Sequence, residues 1–125
     1  MKILVESIII ICEDSPFGKN SVIESIRMAT GILAVGDIEN CKVILMGEAV
    51  LFLSKTLSPE ALNVDSFSNI TRLMELSDLE IYVDEGSLNN YGMDTTDLID
   101  YENIQVVNIT QISKIILDAE MTFKY

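Results

Sequence analysis

The chain has 125 residues, 20 acidic against 8 basic side chains, a net charge of −12 and no histidine. This length suits one domain with its own core, so we expect a single domain over residues 1–125. The acidic balance argues against nucleic acid and anionic membranes as partners, because both require a basic face, and the absence of histidine removes the commonest transition-metal ligand.

Hydrophobic residues make up 49 % of the chain, which favours apolar surface buried between subunits, although a sheet covered on both faces gives the same composition. The N-terminus, MKILVESIIIIC, is interrupted by a glutamate and a serine, and Glu13 and Asp14 follow it, so we do not expect a signal peptide. No apolar run approaches the ~20 residues that span a bilayer. The two cysteines form no CxxC pair. Each sits at an edge of an apolar run, as a buried thiol would in a reducing compartment, and we expect a cytoplasmic protein.

The first predicted elements are a strand and a helix. Val5 to Cys12 is a continuous apolar run, which is typical of a central parallel strand. Ser21 and Glu24 match a capping box at the start of a helix, and Gly36 can end that helix. The apolar face of this helix is formed by residues at helical spacing, namely Val22, Ile26, Ala29 and Leu33, and it is widened by Ile23, Ile32 and Val35.

The rest of the chain alternates strands with helices. The later predicted strands are Cys41 to Met46, Leu79 to Val83, Ile104 to Val107 and Ala119 to Phe123. The predicted helices are a short one over Glu48 to Leu53, an amphipathic one from Phe67 to Leu76, and one marked by Ile109, Ile112, Ile115 and Ile116. Two further connections are expected, an exposed one over Leu57 to Asp65 and a loop over Asp84 to Gly92 that leads into a short helical turn.

This alternation predicts a three-layer α/β/α sandwich around a mainly parallel sheet of about five strands. In such sheets, ligands bind beyond the carboxyl ends of the strands. The loops that leave those ends are Glu13 to Asn20, Gly47 to Ala49 and Asp84 to Tyr91. Any functional site is therefore expected at these loops.

The acidic loop after the first strand suggests two functions besides a plain exit from the core. Glu13 and Asp14 resemble the metal-binding pair of a response-regulator receiver, but Asp84 follows far later than a receiver's phosphate-accepting Asp. Gly18 to Ser21 has the shape of a phosphate cradle at a helix start, although the acidic pair would repel an anion. A solvated loop followed by a capped helix explains the same residues.

Four segments spread along the chain carry a family resemblance. They are SPFGKNSVIESIRMATGILA from Ser15, VILMGEAVLFL from Val43, LEIYVDEGSLNNYGM from Leu79 and ILDAEMTFKY from Ile116. Together and in this order they resemble the DsrE/DsrF-like sulfur-relay family, and its TusC/DsrF branch most closely. The resemblance implies a flavodoxin-like α/β fold of the DsrEFH type. It also implies a homo-oligomer, as a trimer or hexamer, or a hetero-oligomer with DsrE/DsrH-like subunits.

The resemblance also points to one position in the chain. Catalytic members of the family carry sulfur as a persulfide on a cysteine after the strand that corresponds to Leu79 to Val83. Asp84 stands there in this chain, and a carboxylate cannot carry a sulfane sulfur because only a thiolate is the nucleophile. The resemblance therefore implies a non-catalytic or regulatory subunit of a cytoplasmic sulfur relay.

Two alternatives stay open. Cys12 ends the first strand at the same sheet edge and is a candidate thiol or persulfide carrier, although the adjacent carboxylates would suppress its thiolate and a core thiol is the other interpretation. Cys41 begins its strand at the opposite edge and is expected to be a core thiol. The second alternative is a small-molecule or cation-binding module, with no particular metal or cofactor predicted. Its binding rim would be Glu13, Asp14, Gly18, Gly47, Asp84, Glu85 and Tyr91.

Overall fold

A five-stranded, all-parallel sheet forms the centre of the computed structural model, which describes residues 6–36, 38, 40–56 and 68–125. The strands are β1 (Ser7–Cys12), β2 (Asn40–Leu45), β3 (Glu80–Asp84), β4 (Ile104–Val107) and β5 (Met121–Lys124). Their order across the sheet is β4-β3-β2-β1-β5. The predictions for Val5, for the connection Leu57 to Asp65 and for Phe67 fall outside the described residues.

In the described part of the chain, α-helices and short 3₁₀ helices connect the strands. The α-helices are α1 (Ser21–Val35), α2 (Ser68–Ser77), α3 (Glu85–Asn90) and α4 (Ile109–Asp118). The 3₁₀ helices are Gly47–Leu53 and Thr95–Asp97. None of the helices described is both long and apolar enough to cross a bilayer.

The strand order places helices on both faces of the sheet. β1 to β4 follow one another in one direction, whereas β5 returns to the far side of β1. Because parallel crossovers are right-handed, this reversal puts α4 on the face opposite to the other helices. The larger buried cluster includes Ile10, Ile26 and Val43, and the smaller one joins Ile9, Ile44 and Val107 to Ile112 of α4. The predicted α/β/α sandwich is therefore confirmed, with a strand order unlike that of flavodoxin itself or of receivers.

β1 is buried from both faces, which explains its unbroken run of isoleucines. Ile8 and Ile10 face the larger cluster, and Ile9 faces the smaller one. β2 and β5 flank the strand, so it has no open edge. Full burial of each isoleucine contributes roughly 1.5–3 kcal/mol, and this strand therefore anchors both layers.

The start of α1 differs from the prediction. Asn20 precedes the first turn and Ser21 is already helical, so the capping box predicted from Ser21 and Glu24 is wrong. The Ser21 hydroxyl donates instead to Asp14 Oδ2 at 2.8 Å. The predicted end of the helix is confirmed, because Gly36 has a φ of +86°, a left-handed conformation that glycine adopts without strain.

Two further predictions are corrected. Val35 is 73 % exposed and does not belong to the buried face of α1, because it lies in the last turn, where the helix leaves the core. Asp84 to Gly92 does not begin as a loop, because α3 starts at Glu85, directly after β3. The turn from strand to helix is therefore a single residue, Asp84.

Candidate functional site

The predicted loops meet at one edge of the sheet. β1 and β3 end there at Cys12 and Asp84. Met46 N–H donates to the carbonyl oxygen of Cys12 at 3.0 Å, which joins the two neighbouring loops. Gly47 has a φ of +55°, and a Cβ added to it would come within 3.4 Å of the Glu13 carbonyl oxygen. A glycine therefore fits this close approach of two backbones.

Asp84 caps α3. Its Oδ2 accepts a hydrogen bond from Ser87 N–H at 3.2 Å and another from the Ser87 hydroxyl at 2.5 Å. The Ser87 hydroxyl oxygen also accepts from Gly47 N–H at 2.8 Å. Ser87 is only 6 % exposed. The Asp84–Ser87–Gly47 hydrogen-bond network therefore connects the end of β3 to the turn after β2 from inside the protein.

Ser87 belongs to this site but is not among the residues predicted from the sequence. With Asp84 to Gly92 predicted as a loop, a serine in the middle of that segment has no expected partner. The available signal is the spacing of Asp84 and Ser87, because an N-cap aspartate accepts from the backbone N–H three residues later. That pattern predicts a helix start at Glu85.

The other carboxylates of the binding rim have partners of their own. Glu13 Oε2 lies 2.9 Å from Lys124 Nζ, and the hydrogen bond and the attraction to Glu13 raise the pKa of that lysine. Asp14 accepts from Ser21, at the start of α1. Among the residues that the structure describes, no group of three or more His, Cys, Asp or Glu side chains could hold a metal ion. The acidic residues thus form separate local pairs.

The remaining residues of the binding rim lie farther out. Gly18 has a φ of +68° and nothing within 4 Å of an added Cβ. Glu85 is exposed in the first turn of α3. Tyr91 is 43 % exposed, and its N–H ends α3 by donating to the carbonyl groups of Ser87 and Leu88. The structure therefore brings Glu13, Gly47 and Asp84 close together but leaves Gly18, Glu85 and Tyr91 facing solvent.

Both thiols lie inside the core. Cys12 is 0 % exposed and Cys41 is 2 % exposed. Burial raises the pKa of Cys12, outweighing the opposing hydrogen bonds from the Asp14 backbone and the Ser25 side chain. Burial also raises the pKa of Cys41 to about 11. Because the thiolate is the reactive form, neither cysteine is poised to attack a sulfur donor in the folded state.

These features define an α/β domain with a site at the strand ends, where the Asp84 carboxylate caps a helix. A family model described as the DsrE/DsrF-like family matches residues 6–125, and the chain belongs to that family. A search of curated proteins finds no match.

Two solved structures share this fold. The ychN protein from E. coli is 16 % identical with a TM-score of 0.78, and the match covers 96 % of this chain and 99 % of that one. MTH1491 from Methanobacterium thermoautotrophicum, described as a protein of unknown function, is 17 % identical with a TM-score of 0.65. That match covers 97 % of this chain and 99 % of the other. At these identities the likeness shows the fold alone.

Proposed function

We propose that this chain is a non-catalytic or regulatory subunit of a cytoplasmic sulfur-relay oligomer, of the TusC/DsrF branch. Membership of the DsrE/DsrF-like family supports the sulfur-relay setting. The observation that carries the subunit role is Asp84, at the end of β3, where the resemblance expects the persulfide cysteine. A carboxylate there cannot form the S–S bond that carries sulfur.

The surroundings of Asp84 support the same role. Its carboxylate is engaged by two donors from Ser87, and Ser87 is in turn held by Gly47. Both native thiols are buried, with pKa values raised by burial. Neither residue 84 nor another side chain at this edge therefore supplies a ready sulfur nucleophile.

Exposed apolar side chains support assembly, either into a homo-oligomer or into a hetero-oligomer with DsrE/DsrH-like subunits. Leu117 is 83 % exposed, Leu76 is 73 % exposed and Ile109 is 61 % exposed. Single exposed residues are ordinary, but together with an overall hydrophobic content of 49 % they favour contact with other subunits.

The test is intact-protein mass spectrometry after incubation with a low-molecular-weight persulfide. We expect no added sulfur on the wild-type chain or on the matched Asp84→Asn variant. The Asp84→Cys variant is expected to gain one sulfur atom. The new thiolate attacks the sulfane sulfur of the donor, the S–S bond of the donor breaks, and the remainder of the donor leaves as a thiolate. Its position at the start of α3 favours the thiolate form.

Mapping the added sulfur decides between the proposal and its main alternative. Sulfur on wild-type Cys12, lost in a Cys12→Ser variant, would make this chain a carrier and overturn the proposal. A failure of Asp84→Cys to accept sulfur, with the fold intact by circular dichroism, would refute the assignment of position 84 to the relay thiol.

A further inference from the structure

β5 is an edge strand with an open outer side. Its neighbour in the sheet is β1, and no other strand within the described residues pairs with it. All 4 of its residues are exposed, whereas β4, at the opposite edge, ends in a buried valine. Natural monomers protect such edges with proline, bulges or charges. The one charged side chain of β5, Lys124, is neutralised by Glu13.

The exposed strand carries an apolar stripe on one face. Met121 and Phe123 are in register with Ile8 and Ile10 of β1, so they lie on the α1 face of the sheet. Tyr125 follows at the same spacing. These three side chains, which we call the edge stripe, are 39 %, 37 % and 42 % exposed. An apolar strand paired with the open edge of β5 would cover part of this edge stripe.

The backbone of β5 also directs hydrogen-bonding groups to its outer side, where no strand among the described residues pairs with them. Tyr125 N–H donates inward, to the carbonyl oxygen of Ile11 at 2.8 Å. Successive residues of a strand direct their N–H and C=O groups to opposite sides. The groups of Thr122 and Lys124 therefore point away from β1, towards the open edge.

We propose that β5 pairs with β5 of a second copy of this chain, antiparallel about a twofold axis at Thr122. The two five-stranded sheets would then form one continuous sheet. In this register Thr122 faces its own counterpart in a hydrogen-bonded pair. Met121 faces Phe123 of the other copy, so the two edge stripes merge across the axis.

Charge complementarity selects this register. It places Glu120 opposite Lys124 twice, once on each side of the axis, and opposite charges that face each other across strands stabilise the pairing. An axis at Phe123 would place Thr122 opposite Lys124, so that Glu120 and Lys124 no longer face each other. The present partners of the two charges, Glu13 for Lys124 and Glu6 N–H for Glu120, are exposed contacts that the pairing can exchange.

The same charges explain why a second copy fits this edge. Two copies that each carry a net charge of −12 repel one another, so self-association needs a surface that is locally neutral. The side chains of residues 120–125 include one acid, Glu120, and one base, Lys124. The pairing deepens the self-association part of the proposed function and rests on that part alone.

The first test is Thr122→Pro, read by sedimentation equilibrium. Because the Thr122 N–H points outward, proline removes a donor to the second copy but none of the β1–β5 hydrogen bonds. We expect the particle mass to halve relative to the wild-type chain, and the matched Thr122→Val variant to keep the wild-type mass. A wild-type monomer, or a mass that Thr122→Pro leaves unchanged, would overturn the pairing.

The second test reads the register directly and does not depend on the folding of the proline variant. In an antiparallel hydrogen-bonded pair the Cα atoms lie about 5.5 Å apart, so two cysteines at position 122 would face each other across the axis, within reach of a short bismaleimide. Thr122→Cys is therefore expected to form a covalent dimer with a bismaleimide cross-linker. Thr110→Cys, at an exposed position of α4, is the control and should stay monomeric on denaturing gels.

The two proposals fail separately. Equal cross-linking of the two cysteine variants, or none, would overturn the β5 pairing. A wild-type particle mass that persists in Thr122→Pro would do the same, while leaving association through another surface in place. The sulfur assay reads added mass on thiols, and its outcome does not depend on which surface joins the subunits.

Discussion

Replacing Ser87 by alanine is expected to lower the free energy of unfolding by about 1–2 kcal/mol. The hydroxyl accepts from Gly47 N–H at 2.8 Å and donates to Asp84 Oδ2 at 2.5 Å. Alanine leaves the Gly47 N–H without this acceptor and removes one of the two Ser87 donors to Asp84. A buried group left unpaired costs roughly 1–3 kcal/mol. Because Gly47 and Asp84 are only partly buried, water replaces part of the loss, and the lower half of that range applies.

Urea denaturation followed by circular dichroism measures this free energy directly. A loss of this size corresponds to a fall in Tm of roughly 3–10 °C for a domain of this length. The matched control is Ser54→Ala, because the Ser54 hydroxyl lies 3.0 Å from Thr56 Oγ1 in an exposed contact. Its effect is expected to stay within about 0.5 kcal/mol.

A double-mutant cycle that combines Ser87→Ala with Asp84→Ala tests whether the Asp84–Ser87–Gly47 hydrogen-bond network acts as a unit. Loss of the N-cap alone is expected to cost about 1 kcal/mol. Because Asp84 and Ser87 share a hydrogen bond, the double variant should lose less than the sum of the single effects, by roughly 0.5 kcal/mol or more. The hydrogen-bond network would not contribute to stability in this way if Ser87→Ala had the unfolding free energy of the wild type. The same would hold if the effects of the two single variants simply added.

Two other predictions concern the core. Tyr101, 9 % exposed, donates to the carbonyl oxygens of Met74 at 3.0 Å and Leu79 at 2.5 Å. Tyr101→Phe should lower the free energy of unfolding by about 1–2 kcal/mol, whereas the exposed Tyr91→Phe should change it little; equal effects in urea would contradict this. Burial raises the pKa of Cys41 from 9.0 to about 11. The unfolded chain therefore releases this proton first as the pH rises. The free energy of unfolding falls as the pH rises from 9.0 towards about 11, by roughly 2–3 kcal/mol in all. The fall should be shallower in Cys41→Ala, and parallel pH profiles of the two proteins would contradict the burial argument.

The layered fold could be predicted from the sequence because hydrophobic periodicity records which faces of an element are buried. The apolar run that ends at Cys12 indicates a strand covered on both faces, and the spacing of Val22, Ile26 and Ala29 indicates a one-faced helix. Strand order could not be predicted in the same way. Periodicity says nothing about which strand lies beside which, so the return of β5 to β1 appears only in the structure.

The edge that holds the site was likewise predictable, but the partners of its side chains were not. Ser21 fits a local capping box, yet its hydroxyl bonds to Asp14, seven residues earlier, because the β1–α1 loop folds back over the helix start. Glu13 and Lys124 come from opposite ends of the chain and meet only because β5 lies beside β1. Local patterns cannot identify such pairs, since they depend on which strands lie side by side in the folded sheet.

The proposed replacement of a family cysteine by Asp84 affects the stability of the domain as well as its chemistry. Aspartate is among the most favourable N-cap residues, and here it uses the Ser87 donors to fix the start of α3. A reactive thiolate would need those donors to lower its own pKa, and cysteine is not a preferred cap. Stability and sulfur acceptance should therefore change in opposite directions in Asp84→Cys, with about 1 kcal/mol of stability lost as the thiol is gained. A subunit that does not carry sulfur can use this position to stabilise the edge of the sheet instead.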